Sequence, residues 1–182
     1  MYRDGISTDR YALLRYVSCV LGCPYEGRID PSRVVYMTKH LLDMGCYEVS
    51  LGDTTGVGNP LDTSRVIEAL LKEGITTGQL AVHFHDTYGQ ALANILTALF
   101  YGISTIDTAV AGLGGCPYAV GATGNVATED VLYMLNGMHI ETGISIEKVL
   151  QAADYIDSFL GRPNTSRAGT ALAHKLAGLD IK

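Results

Sequence analysis

Short runs of strand-forming residues alternate along this chain with longer helical patterns. The runs are rich in Val, Ile, Tyr and Thr, and several are apolar on both faces, as in buried parallel strands. They cover residues 14–20, 47–51, 80–84 and 104–110. Their starts lie about 25–33 residues apart, roughly the length of one βα unit. This alternation predicts a parallel α/β sheet, either doubly wound or part of a barrel.

The helical segments carry recognisable start and stop signals. Asp30 before Pro31 and Asn59 before Pro60 each place an N-cap residue before a proline at the first helical position. Glycines 45 and 74 then end these two helices. Further helices are expected over residues 89–100, 127–135, 146–160 and 168–176.

The length limits the architecture. The chain has 182 residues, which fits a single domain over residues 1–182. A complete eight-unit barrel needs about 250 residues. Four units with additional helices therefore predict a small open α/β domain or part of a barrel.

Composition excludes several classes of protein. The chain is 47% hydrophobic and 18% charged, so it is not intrinsically disordered, and no apolar run is long enough for a membrane span. The net charge is −6 and no basic cluster occurs, so nucleic acid is not expected as a partner. The cysteines lack zinc-ligand spacing, and no targeting segment is recognisable, which indicates a reducing, cytoplasmic location. They are Cys19, Cys23, Cys46 and Cys116.

The segment from Val82 to Asp86 reads VHFHD and is the strongest sign of chemistry. Alternating strand geometry turns His83 and His85 to the same side, at the carboxyl end of the third predicted strand. Two such imidazoles can chelate one metal ion. The alternative is a pair of histidines that are hydrogen-bonded in a polar pocket.

Two other polar residues follow predicted strands. Asn125 offers an amide oxygen, a hard ligand suited to Mg²⁺ or Mn²⁺, although its spacing alone favours a helix N-cap. Asp53 ends the second strand and could hold a metal-bound water, a ligand histidine or a substrate hydroxyl. It could instead cap a loop or helix.

The loop at residues 112–118, GLGGCPY, places Cys116 among glycines after the fourth strand. An exposed thiol there could act as an acid or nucleophile, whereas a buried one would be a small hydrophobic group. Cys23 lies in a similar loop. Tyr16 and Ser18 share one face of the first strand, where a packed barrel interior is expected. The remaining histidines are expected to be structural or on the surface: His40, His139 and His174.

Five segments together resemble hydroxymethylglutaryl-CoA lyase. They are YVSCVLGCPYEG (16–27), SLGDT (50–54), HFHDTYGQ (83–90), AGLGGCPYA (111–119) and GNVATED (124–130). The resemblance implies a TIM barrel, of which residues 1–182 would be the C-terminal half: strands five to eight with the C-terminal helices. It also implies a divalent cation, Mg²⁺ or Mn²⁺, and no organic cofactor.

The resemblance assigns roles to six residues. The implied metal ligands are His83, His85 and Asn125. The implied catalytic residues are Cys116, on a mobile loop, His83, in proton transfer, and Asp53. Glu129 would support the site.

The implied reaction is a metal-dependent retro-Claisen cleavage of 3-hydroxy-3-methylglutaryl-CoA, or a related acyl-CoA, to acetyl-CoA and acetoacetate. Such a lyase serves leucine degradation and ketone body formation, in the mitochondrial matrix if the source is eukaryotic. Two alternatives stay open. One is a Claisen-type synthase on the same scaffold, and the other is a truncated, non-catalytic half-barrel.

Half a barrel would leave open sheet edges and an exposed apolar inner face. We therefore expect a homo-oligomer, or pairing with an N-terminal half. In the family that half carries an Arg-Asp-Gly motif with the catalytic arginine and a metal-binding aspartate. Arg3, Asp4 and Gly5 repeat the motif here, and we expect them to be a chance match or a scar of truncation.

Overall fold

The computed structural model describes residues 12–115 and 124–176. Four parallel strands form one sheet in the order β1-β2-β3-β4. Their bounds are β1 Leu14–Val17, β2 Glu48–Asp53, β3 Leu80–Phe84 and β4 Thr105–Ile106. The motif Arg3-Asp4-Gly5 and Cys116 lie outside the described residues.

Six α-helices connect and follow the strands in the described part of the chain. They are α1 Pro31–Asp43, α2 Pro60–Lys72, α3 Ala91–Phe100, α4 Thr128–Gly137, α5 Ile146–Leu160 and α6 Arg167–Leu176. The two predicted N-caps are confirmed. Asp30 accepts a hydrogen bond from the Ser32 amide, and Asn59 accepts from the amides of Leu61 and Asp62. None of the described helices is both long and apolar enough to cross a membrane.

The two faces of the sheet differ in chemistry. One face carries apolar side chains that pack with α1, α2 and α3 into the hydrophobic core, among them Leu51, Val82 and Phe84. In the parallel register Tyr16 lies beside Ser50, and Gly52 lies beside His83, on the opposite face. Helices cover only the apolar face because only there does burial remove apolar surface from water.

The prediction of an exposed apolar inner face is therefore wrong. The inner face is polar: the Thr105 hydroxyl donates to Glu48, and the Ser50 hydroxyl donates to Asp107. The prediction that Tyr16 and Ser18 pack inside a barrel is also wrong for the described residues. Both are exposed, with Tyr16 retaining 52% of its accessible surface, because no element of the described chain covers them.

Two predicted strands are shorter than expected. β1 ends at Val17, and Cys19 has φ of 61°, which an extended strand cannot contain. β4 contains only two residues, and residues 110–112 form a 3₁₀ turn. Both predicted runs extend into loops at the carboxyl ends of strands, where parallel α/β folds place their functional residues.

Candidate active site

A cavity of about 610 Å³ opens at the carboxyl ends of β1, β2 and β3. Its walls come from the loop after β1, the end of β2, His83 of β3, His85 directly after β3, and the glycine loop before residue 116. The lining residues used below are Tyr16, Cys23, Gly52, His83, His85 and Gly115. The cavity thus lies at the edge of the sheet where the sequence predicts a site.

His83 and His85 both line this cavity, with ring centroids 5.4 Å apart. The Nδ1 atom of each ring is buried and has no hydrogen-bond partner among the described residues. Burial first, and the charge of His83 second, lower the pKa of His85 and favour its neutral imidazole. A neutral imidazole with an unshared lone pair is the form that ligates metal ions.

Asn125 lies beside His85, in an isolated antiparallel bridge. Its Nδ2 donates to the carbonyl of Leu113 at 2.9 Å, which fixes the orientation of the amide. Its Oδ1 is buried and has no hydrogen-bond partner within the described residues. The N-cap alternative is wrong, because Ala127 occupies the N-cap position of α4. The amide oxygen is left available as a ligand.

The glycine loop packs directly on Asn125. Gly114 has φ of 109°, and a Cβ built on it would come within 2.6 Å of Asn125 Nδ2. Only glycine combines this backbone angle with so close an approach. The loop continues through Gly115, on the cavity wall, into Cys116. The next residue in sequence is thus the predicted catalytic cysteine, although its own position lies outside the described residues.

The start of this loop is held in a strained conformation by Glu129. Ala111 has φ of 55°, and its amide donates to both carboxylate oxygens of Glu129 at 3.0 Å. Its carbonyl accepts hydrogen bonds from Thr165 and Arg162. Burial raises the pKa of Glu129, whose side chain is fully buried. Glu129 therefore contacts the loop backbone, which fits the supporting role implied by the resemblance.

Asp53 is fully buried at the end of β2 and faces backbone amides. Its carboxylate accepts hydrogen bonds from Gly56 at 3.1 Å and from Gly58 at 2.9 Å. Burial raises the pKa of Asp53, and these amides act in the opposite direction. The loop-capping alternative is therefore realised, and the predicted catalytic role of Asp53 stays a prediction.

Sequence reasoning missed Asp107, which follows β4. Its Oδ2 accepts a 2.8 Å hydrogen bond from Ser50 Oγ and lies 3.7 Å from His83 Nδ1. The neighbouring imidazole of His83 is the main cause that lowers the pKa of Asp107. No local motif marks this aspartate, since its partners lie on other strands.

The remaining candidates fall into two groups. Cys23 lines the cavity, and the backbone amides of Tyr25 and Glu26 lower the pKa of its thiol. His40, His139 and His174 are all exposed, as predicted.

The candidate metal donors of the described residues are the imidazoles of His83 and His85 and the amide oxygen of Asn125. Among residues 12–115 and 124–176, no three His, Cys, Asp or Glu side chains converge on one metal position. The two imidazoles lie 5.4 Å apart, and the unpartnered amide oxygen of Asn125 belongs to the neighbour of His85. Nitrogen and neutral oxygen donors of this kind suit a divalent cation that keeps some water ligands. The described residues fit a metal as part of a coordination shell.

Comparison with known proteins decides the family. The family model described as HMGL-like matches residues 7–156. The chain belongs to the HMGL-like family. The resemblance found in the sequence is thus confirmed, and the roles of the individual residues stay predictions.

Individual relatives are lyases. A human protein named 3-hydroxy-3-methylglutaryl-CoA lyase, cytoplasmic, is 58% identical over 156 residues, covering 86% of this chain and 42% of that protein. A Pseudomonas aeruginosa protein named 3-hydroxy-3-isohexenylglutaryl-CoA/hydroxy-methylglutaryl-CoA lyase is 58% identical, covering 88% of this chain and 53% of that protein. This HMGL-like chain therefore spans about half the length of the curated relatives it matches.

Solved structures agree with the fold. The hydroxymethylglutaryl-CoA lyase from Pseudomonas aeruginosa superposes with a TM-score of 0.88 at 55% identity, covering 92% of this chain and 55% of that one. A lyase from Acinetobacter baumannii, solved with coenzyme A and 3-methylmalate, gives 0.84 at 35% identity and covers 90% and 53%. The architecture is thus four consecutive βα units of the lyase TIM barrel, as the sequence predicted.

Proposed function

We propose that this chain provides half of the active site of a lyase that cleaves 3-hydroxy-3-methylglutaryl-CoA to acetyl-CoA and acetoacetate. The observation that carries the proposal is the unpartnered Oδ1 of Asn125, which lies beside His85. His85 and His83 share one cavity wall. A buried amide oxygen without a partner costs free energy, so its retention at this site indicates a ligand. The relatives bear the names of lyases of this type.

The metal assignment is part of the proposal. His83, His85 and Asn125 would hold Mg²⁺ or Mn²⁺, with the rest of the shell coming from water, substrate or donors outside the described residues. When bound, the cation would supply Lewis-acid polarisation of the substrate's oxygen atoms. No organic cofactor is proposed.

The chain's own residues would handle the protons. A base takes the proton from the C3 hydroxyl, and the C2–C3 bond then breaks. The two products of this cleavage are acetoacetate and the enolate of acetyl-CoA. An acid then returns one proton to the enolate carbon. His83 on the cavity wall and Cys116 after Gly115 are the proposed groups for that last step. Tyr16 and Tyr25, which also line the cavity, would exclude water around the enolate.

Partners and pathway follow from the same chemistry. The substrate is 3-hydroxy-3-methylglutaryl-CoA or a related acyl-CoA, and the products suit leucine degradation and ketone body formation. The edges of the described sheet are β1 and β4, which a second copy or an N-terminal half-barrel would cover. The relatives include mitochondrial, cytoplasmic and bacterial proteins. Nothing in the described residues favours a synthase or a non-catalytic half-barrel.

The test is acetoacetate release from 3-hydroxy-3-methylglutaryl-CoA in the presence of Mn²⁺. The chain is assayed alone and together with the N-terminal half of the Pseudomonas aeruginosa relative. We expect turnover in the mixture that is lost with chelator and with Cys116→Ala. Cys46→Ala is the matched control, because Cys46 is buried away from the cavity wall. No turnover from a folded mixture, or turnover that survives the chelator, would overturn the proposal.

A further inference from the structure

Asp107 occupies a position from which one carboxylate reaches three strands. Its amide donates to the carbonyl of Val82 at 2.9 Å, which fixes the residue beside β3 just after β4 ends. Its carboxylate accepts a hydrogen bond from Ser50 on β2. The Tyr16 side chain on β1 lies close enough to help lower the pKa of this carboxylate. The same Oδ2 that accepts from Ser50 lies 3.7 Å from Nδ1 of His83.

The geometry holds the carboxylate more firmly than it holds the histidine. Ser50 is fully buried, so its hydroxyl has no water to replace the bond to Asp107. Nδ1 of His83 is buried, and its charged neighbour is the Asp107 carboxylate. A small rotation of the imidazole ring would shorten the 3.7 Å distance between Nδ1 and Oδ2 to that of a hydrogen bond. The ring of Tyr16 packs edge-on against His83 at 5.5 Å and limits other rotations.

We propose that Asp107 is a positioning residue that accepts a hydrogen bond from the Nδ1–H group of His83. This bond would keep the proton on Nδ1 and leave the Nε2 lone pair of His83 for the cavity. The inference rests on the role proposed above for His83. The two ring nitrogens of a neutral histidine are distinct, and the partner of one decides what the other can do. A carboxylate on Nδ1 raises the basicity of Nε2, whether Nε2 ligates a metal or transfers a proton.

A purely structural role would give a different result. If Asp107 only joined β2 to β4 through Ser50, its removal would lower stability and leave the tautomer of His83 unchanged. Thr105→Val provides the control, since it removes a comparable cross-strand bond to Glu48 that does not involve a histidine.

The first measurement is the ¹⁵N spectrum of the imidazole rings in the metal-free chain at alkaline pH. The chain has five histidines, and His83→Gln identifies the signals of His83 by their loss. We expect wild type and Thr105→Val to carry the proton on Nδ1, and Asp107→Ala to move it largely to Nε2. Asp107→Asn keeps the shape without the charge and should shift the population in the same direction by less. The proposal would be overturned if wild type already carries the proton on Nε2. It would also be overturned if the proton stays on Nδ1 in both Asp107→Ala and Asp107→Asn.

The second measurement is Mn²⁺ affinity by isothermal titration. Outer carboxylates of this kind change metal affinity by about 10–100-fold. We expect Asp107→Asn to weaken binding by about that factor and Thr105→Val to leave it unchanged, whereas equal affinities would contradict the inference. If wild type does not bind Mn²⁺, the proposed function fails, while the tautomer measurement still decides the role of Asp107.

Discussion

Nδ2 of Asn125 donates a 2.9 Å hydrogen bond to the carbonyl of Leu113, and this bond ties the candidate metal ligand to the glycine loop. The loop leads into Cys116 three residues later in the sequence. The bond also fixes the amide, whose Oδ1 is buried and has no hydrogen-bond partner among the described residues. The proposed metal ligand is thus tied, through one backbone carbonyl, to the loop that precedes the proposed proton donor in sequence.

Gly114→Ala should damage this link directly. The added Cβ would approach Nδ2 of Asn125, and φ of 109° is disfavoured for alanine, so we expect a loss of about 1–3 kcal/mol in the free energy of unfolding. Mn²⁺ affinity should fall as well, because Asn125 is displaced. Gly78→Ala, at a glycine with φ outside the left-handed region and open space around it, is the control for denaturant unfolding and titration. Equal behaviour of the two variants would contradict the packing argument.

His85→Ala and Asn125→Ala should each abolish measurable Mn²⁺ binding at micromolar metal. Each removes one of the few donors that converge in the described residues. Electron paramagnetic resonance of free Mn²⁺ measures the bound fraction. His40→Ala, at an exposed histidine on α1, should bind as wild type does. Retention of full affinity in both site variants would place the metal elsewhere.

Glu129→Gln should change how stability depends on pH. Burial raises the pKa of Glu129 above its usual 4.5, so its contribution to stability is complete below that value and is lost as pH rises through the folded-state pKa. Glutamine does not titrate and keeps an oxygen for the Ala111 amide. As pH rises from 4.5 through the folded-state pKa, the variant should therefore gain stability relative to wild type. Thermal unfolding at a series of pH values measures this difference. Parallel curves of Tm against pH for wild type and Glu129→Gln would contradict the prediction.

Asp53→Ala should destabilise the chain even if catalysis does not use this carboxylate. The amides of Gly56 and Gly58 would lose their acceptor in a buried site, at about 1–3 kcal/mol each. Asp30→Ala, which removes an exposed N-cap, should cost only about 1 kcal/mol. Denaturant midpoints compare the two. A smaller loss at Asp53 than at Asp30 would show that the turn does not depend on the buried carboxylate.

The open edges of the sheet predict association. β1 and β4 end the described sheet with backbone groups that lack a neighbouring strand. Light scattering after size-exclusion chromatography should show dimers or larger species that are replaced by a one-to-one complex when an N-terminal half-barrel is added. A monodisperse monomer that ignores the added half would contradict this expectation.

Local signals predicted the elements well where a single segment decides the structure. The bounds of β3 at Leu80–Phe84 and of α5 at Ile146–Leu160 agree with the sequence prediction. The predicted β1 is too long because Cys19 adopts a positive φ that its residue type does not indicate. The predicted β4 is too long because the chain leaves the sheet after Ile106 and forms a 3₁₀ turn at residues 110–112. The histidine pair was found because strand alternation is local. The role of Asn125 was left open between cap and ligand because it depends on Leu113, on a different segment.

The sequence alone determined the alternation of strands and helices, the capped helix starts, the spacing of His83 and His85, and the motifs of the family. These depend on neighbours within one turn or one strand. The tertiary structure decided which polar atoms meet. Ser50 and Asp107 are 57 residues apart in the chain, and their bond exists only because β2, β3 and β4 pair in one register. A polar contact between distant segments depends on loop lengths and strand register together, and no local pattern encodes that combination.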